Sequence, residues 1–181
     1  MELVRSHDLT IFVVTETRIQ GEAAKRVISS LPFAGRSIVD PIGFSGELWM
    51  LWKLNAFILD IIKKDEQEIQ AMVKVRHSNF SWLFSGIYAS PKFSKRLFLS
   101  NNLIEVSDRL NLPWLLAGDF NEILRPIDKI GGRNINWNRA KFYNNCMDHY
   151  NLIDLGFSGP RHTWSNHRED GSLILIRIDR A

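Results

Sequence analysis

The sequence predicts an α/β sandwich, with helices set against mostly mixed or antiparallel sheets, and three features carry that reading. Short apolar runs of strand length recur along the chain, at Leu9–Thr15, Ser81–Tyr88 and Pro113–Ala117 among others. Helical periodicity is confined to a few segments between such runs. The 181 residues, 45% of them hydrophobic, suffice for the core of one domain, expected to span residues 1–181.

Leu9–Thr15 is a continuous run rich in β-branched residues, as expected for a strand buried on both faces, and Gly21–Ser30 follows as a short helix. Leu48–Ile62, Ala71–Arg76 and Ser81–Tyr88 read as strands. After Pro91, Phe93, Leu97 and Ile104 share one face at helical spacing, and Pro113 follows the end of that helix and opens the strand Pro113–Ala117. Asn136 is placed to cap a further helix whose apolar stripe is Ala140, Tyr143, Met147 and Tyr150. Two last strands, His162–Asn166 and Leu173–Asp179, are expected to pair through Glu169-Asp170-Gly171-Ser172, because Asp-Gly readily adopts the positive φ of a tight turn.

Composition narrows the classes of function. A net charge of +3 favours a polyanionic partner only mildly and is well short of the basic stripe of a dedicated nucleic-acid binder. The lone Cys146 forms no internal disulfide, and no Cys/His set has the spacing of a structural zinc site, which suits an intracellular, nuclear or cytoplasmic setting. The opening MELVRSHDLT is too polar for a signal peptide, and Lys53, Asn55 and Asp60 interrupt the longest apolar stretch, so no membrane association is expected. Oligomeric state is not legible.

Two strand ends carry candidate chemistry. Trp114-Leu-Leu-Ala-Gly118-Asp119-Phe120-Asn121 sets a carboxylate and a carboxamide two residues apart. Gly118 permits close backbone approach, and Asp119 and Asn121 point the same way if extended geometry continues. Turn chemistry also favours Asp and Asn at a strand exit, and the spacing alone does not separate the two readings. Glu16, in Thr15-Glu16-Thr17, repeats the arrangement after Ile11–Val14. Carboxylate oxygens suit a hard divalent cation, which offsets charge growing on a phosphoryl group under attack. On its own, Glu16 reads equally as a solvated acid or a helix-start acid.

Read in order, Thr15-Glu16-Thr17, Gly43-Phe-Ser-Gly46-Glu47-Leu48 with Trp52, Ile87-Tyr88-Ala-Ser-Pro91, Gly118-Asp119-Phe120-Asn121, Thr163-Trp164-Ser165-Asn166 and Arg177-Ile-Asp179-Arg180 resemble the endonuclease/exonuclease/phosphatase superfamily over nearly the whole chain. Leu155-Gly-Phe-Ser-Gly-Pro160 and the closing Arg-Ile-Asp-Arg-Ala181 resemble the endonuclease domains of plant non-LTR (LINE-type) retrotransposons. The resemblance implies a four-layer α/β sandwich, two face-to-face mixed sheets flanked by helices, and phosphodiester hydrolysis with Mg²⁺, or Mn²⁺ in its place, on DNA. It also implies roles. Glu16 matches the metal ligand and Asp119 the group that orients or deprotonates the attacking water. Asn121 matches the neighbour that positions nucleophile and phosphate, Tyr88 a phenol that hydrogen-bonds the scissile phosphate or leaving oxygen, and Asp179 the carboxylate that orients a catalytic histidine. Asn166 takes a supporting place near the rim of the site, although an amide that staples the hairpin fits it as well. Arg168, with Arg161 and His167, belongs to a hairpin that meets the DNA groove, where a short charged turn is also simply solvated.

The sequence departs from that family in three places. The first strand, with its Asn near the metal, and the closing Ser-Asp-His segment fall outside these 181 residues, so the sandwich is incomplete at both ends and the resemblance implies weak or absent activity. Glu47 stands where the family carries a second glycine. His7, His77, His149, His162 and His167 all lie in other segments of the pattern, and Trp49 and Trp52 read as core. Two further readings remain open: a phosphatase acting on a small phosphoester, and a catalytically dead nucleic-acid-binding or interaction module or gene relic.

Overall fold

The computed structural model describes Val4 and residues 6–17, 19–40 and 47–181. The expected Gly43-Phe-Ser-Gly46 segment lies outside the described residues. The chain divides into two compact units, Met1–Tyr88 with Leu112–Gly118, and Ala89–Asn111 with Asp119–Ala181.

In the first unit, β1 (Ile11–Thr15), β2 (Gly35–Val39) and β3 (Leu48–Trp52) form an antiparallel sheet in the order β1-β3-β2. β3 is buried at every position, since its odd- and even-numbered side chains enter different apolar layers. A second sheet places β4 (Phe57–Asp65), β5 (Glu68–Val75), β6 (Ser81–Tyr88) and β7 (Trp114–Asp119) in the order β7-β6-β5-β4. Leu48, Met50 and Trp52 of the first sheet pack on Ile69, Ala71, Val73, Phe84 and Tyr88 of the second, which makes the unit a face-to-face sandwich. On the outer side of the first sheet, Phe12, Val14, Trp49 and Leu51 pack against Ala24 and Ile28 of α1 (Gly21–Ser29). Each fully buried Leu or Ile in these layers contributes about 1.5–3 kcal/mol.

Two expectations change here. Leu48–Ile62 is not one strand: Lys53 to Ala56 make a turn, and the halves enter different sheets. Of the residues that broke the apolar run, Lys53 and Asn55 mark the turn and Asp60 is an exposed residue inside β4. β1 is half-buried rather than enclosed, although its side chains alternate between the two apolar layers as a two-faced strand requires. Its position at the end of the β1-β3-β2 order leaves one flank without a partner strand among the described residues.

The second unit pairs α2 (Phe93–Arg109) with α3 (Trp137–His149) and carries a small antiparallel sheet, β8 (Lys129–Ile130), β10 (Leu175–Ile176) and β9 (Trp164–Ser165), followed by β11 (Asp179–Arg180). The Asn136 side chain accepts the Arg139 N–H at 3.2 Å, so the expected cap is made. The buried stripe of α3 is Ala140, Tyr143 and Cys146, with Tyr150 at its end, whereas Met147 is only half-buried. α2 buries Arg96, Leu99, Ser100, Leu103 and Val106 rather than the Phe93, Leu97 and Ile104 face; Leu97 is exposed. A charged Arg96 at the head of the stripe disguised it. The last strands are shorter than expected, and Leu173–Asp179 is split between β10 and β11, but β9 and β10 do pair, with Leu175 opposite Ser165, across a loop holding Gly171 at φ +80°.

Candidate functional site

In the first unit the β1–β3 ladder runs one step past β1, where the Glu16 N–H donates to the Glu47 carbonyl at 3.3 Å. Ile11 and Val13 face the inter-sheet core and Phe12 and Val14 the α1 side, so continued extension would send Glu16 to the α1 side. Glu16 instead adopts φ +55°, a left-handed geometry uncommon for a side-chain-bearing residue. The Tyr88 hydroxyl, 72 residues away, donates to Glu16 Oε1 at 2.6 Å. Tyr88 ends β6, is 3% exposed, and donates its N–H to the Gln67 carbonyl at 2.8 Å, so its phenol is held by core packing and ladder together. The Glu16 carboxylate itself is exposed.

Gly118 precedes the second candidate pair. Its φ is +141°, and a Cβ there would sit 2.0 Å from the Ile87 carbonyl oxygen, so no other residue fits this approach of β7 to β6.

In the second unit Asp119 is 7% exposed and accepts two hydrogen bonds from Asn121: the backbone N–H reaches Oδ1 at 2.7 Å and the amide Nδ2 reaches Oδ2 at 2.9 Å. Extended geometry does not continue past Asp119. Asn121 is left-handed, φ +48°, and the pair meets through an Asx turn, so turn chemistry is itself the device that brings carboxylate and carboxamide together. Asn121 Nδ2 also donates to the Ala89 carbonyl at 2.8 Å, and the Ala89 N–H donates to the Asp119 carbonyl at 2.7 Å. Phe120, buried between them, donates its N–H to Ile178 at 3.0 Å and stacks edge-on against Tyr143. This lacing sets the Asp119-Phe-Asn121 turn beside the segment that carries Asp179.

Asp179 is exposed, and its N–H donates to Thr163 Oγ1 at 3.3 Å. The arginines flanking it are anchors. Arg177 Nη2 reaches Asp154 Oδ1 at 2.7 Å, and Arg180 reaches Asp128 Oδ2 at 2.9 Å and Asp154 Oδ2 at 3.0 Å. Asp128 is 1% exposed. Burial pushes the Asp154 carboxyl up, but the Arg177 hydrogen bond, the Gly156 N–H and the charges of Arg177 and Arg180 outweigh it and hold the group below its ordinary value. Two buried cation anchors around one exposed acid explain the Arg-Ile-Asp-Arg spacing physically.

Asn166 uses its amide inside the hairpin, with Nδ2 donating to the Ser172 carbonyl at 2.9 Å and Oδ1 accepting from the Ile174 N–H at 2.9 Å. Arg168 is exposed on the same hairpin, its N–H donating to Asn166 Oδ1 at 3.3 Å. The hydrogen bonds of both stay within the hairpin.

No group of three His, Cys, Asp or Glu side chains positioned to hold a metal occurs among the described residues. A hard cation still fits Glu16, because Mg²⁺ keeps several waters and binds through one or two carboxylates plus substrate phosphate rather than an all-protein cage. The Arg96–Glu122 pair went unread in the sequence. Arg96 Nη2 meets Glu122 Oε2 at 2.6 Å with both side chains nearly enclosed, and Arg96 also donates to the carbonyls of Ser90 at 2.7 Å and Pro91 at 3.1 Å. Its only signal is Glu122 directly after the Asp-Phe-Asn triplet.

No family model and no curated protein matches the chain. Solved structures do. The endonuclease domain of TRAS1, a telomere-specific non-LTR retrotransposon, superposes with a TM-score of 0.67 at 13% identity over 98% of this chain and 74% of that one. The human Nocturnin catalytic domain, with bound sulfate, gives 0.65 at 14% identity over 99% and 70%. A mannosyl-6-phosphatase of Bacteroides thetaiotaomicron gives 0.56 at 17% identity over 99% and 72%. No helix among the described residues is long and apolar enough to cross a membrane. A sandwich of two sheets with α1 on its outer side, glycine-dependent packing of β7 on β6, and superposition on an endonuclease domain, the Nocturnin catalytic domain and a phosphatase together establish that the chain has the endonuclease/exonuclease/phosphatase fold.

Proposed function

We propose that the chain is a phosphodiester hydrolase acting on DNA, of the retrotransposon endonuclease type, and that it uses Mg²⁺ or Mn²⁺. The observation that carries the reading is the 2.6 Å hydrogen bond from the Tyr88 hydroxyl to Glu16 Oε1, which joins two residues, 72 apart in the chain, that the resemblance assigns to one site. The exposed Glu16 carboxylate would hold the cation, which when bound offsets charge growing on the phosphoryl oxygens.

Asp119 takes the proton of the attacking water. The two hydrogen bonds from Asn121 fix the orientation of its carboxylate, and the Asx turn costs little to hold because Phe120 is pinned to Ile178 and Tyr143. Tyr88 donates its one hydroxyl proton to Glu16 here and would turn it to a phosphate or leaving oxygen once a cation occupies that carboxylate. Asp179 remains an exposed acceptor whose position is set by Arg177 and Arg180.

Relaxation of supercoiled plasmid tests the proposal. Weak nicking is expected with Mg²⁺, to stop with EDTA, and to vanish in Asp119→Ala and in Glu16→Gln, since losing one such group typically costs about 10²–10⁴-fold. Nicking that persists in EDTA and in Asp119→Ala refutes it, as does hydrolysis confined to a small phosphate monoester.

A further inference from the structure

A second candidate site lies in the turn between β8 and α3. Lys129, Gly131, Gly132, Arg133 and Trp137 line a cavity of about 410 Å³, a volume within the range of small-molecule sites. No acidic side chain is among its lining residues. Trp137 is 61% exposed at the first turn of α3, where the Asn136 cap fixes the backbone. Trp137 therefore presents an open indole face at the cavity edge.

The cavity wall is preformed. Gly131 and Gly132 adopt φ +75° and +68°, and added Cβ atoms would lie 2.1 Å from the Leu173 carbonyl oxygen and 2.8 Å from Ile174 Cδ1. The turn is therefore seated directly on the Leu173-Ile174 segment that leads into β10. Lys129 Nζ donates to the Arg133 carbonyl, which closes the loop and leaves its charge on the cavity edge. Arg133 is exposed, and no hydrogen bond of its guanidinium is found among the described residues. An indole face with two cations and no carboxylate suits a planar base carrying a phosphate: the base stacks and the phosphate takes the cations.

We propose that this cavity binds one unstacked nucleotide of single-stranded DNA, with its base on Trp137 and its phosphate at Arg133 and Lys129. The inference rests on the hydrolase reading only for its use in catalysis, because binding is measured without turnover.

Fluorescence anisotropy of labelled oligothymidylate in EDTA at low salt tests it on the full chain. Trp137→Ala is expected to weaken binding about 5- to 150-fold while leaving duplex binding unchanged. Trp137→Phe is expected to recover most of the loss, and Arg133→Ala to reduce the slope of log affinity against log salt by about 0.7. An unchanged oligothymidylate affinity in Trp137→Ala, an equal loss for single strand and duplex, or no rescue by Phe overturns the site. Loss of plasmid nicking with Trp137-dependent binding intact would instead count against the hydrolase reading alone.

Discussion

Gly118 carries the sharpest single-residue constraint. With φ +141° and a Cβ position 2.0 Å from a backbone oxygen, Gly118→Ala forces β7 away from β6, and the backbone atom it meets cannot turn aside as a side chain would. We expect it to lose at least about 3 kcal/mol in urea denaturation. Gly171→Ala, at φ +80° with open space around it, should lose only about 1–2 kcal/mol. Equal losses at the two positions would show that the close approach does not constrain the fold. Gly118, Asp119 and Asn121 were legible as a strand end, since a glycine followed by turn-favouring Asp and Asn closes an apolar run. The left-handed φ of Glu16 and Asn121 was not. It arises where ladder and turn finish together, and neither Glu nor Asn identity dictates it. Asn166 shows the reverse case: an amide at a hairpin satisfies three neighbouring backbone groups of its own loop.

At the scale of elements, strands were read more faithfully than helix faces. Ser81–Tyr88 is β6 residue for residue, an uncharged run buried without a break from Leu83 to Tyr88. α2 misled because its inward stripe begins with Arg96, and its charge is neutralised by Glu122, 26 residues away, which no local periodicity reveals. The pair makes a prediction specific to this helix. Arg96→Met removes one partner and leaves Glu122 enclosed and unpaired, a loss of about 3–5 kcal/mol in denaturant midpoints, whereas Arg96→Met with Glu122→Leu should recover much of it. Leu97→Ser, on the exposed face, should change stability by no more than about 0.5 kcal/mol. A costly Leu97→Ser beside a harmless Arg96→Met would mean that the helix is rotated from the orientation described.

For the molecule as a whole, the chain passes from the first unit to the second after Tyr88, returns for Leu112–Gly118, and leaves again at Asp119. No single cut of the chain frees either unit. We propose that all 181 residues unfold as one domain. The sheet order β1-β3-β2 departs from chain order, and such non-local pairing leaves no trace in local pattern. The anchors of the closing segment give the proposal a handle. Asp154 ordinarily titrates near 3.8, and its folded value is lower because Arg177, Gly156 and Arg180 outweigh the burial that raises it. A carboxylate whose folded pKa is depressed contributes its full stability above the unfolded pKa and loses it as pH falls through the folded one. Asp154→Asn keeps the shape and removes the charge, so it should cost about 1–3 kcal/mol near pH 7. The gap between wild type and variant should shrink below about pH 4. Far-ultraviolet circular dichroism and tryptophan fluorescence should report one coincident urea transition for both proteins, shifted in the variant. Two separated transitions would end the one-domain proposal, and a wild-type advantage as large near pH 3 as near pH 7 would remove Asp154 as the source of the pH dependence.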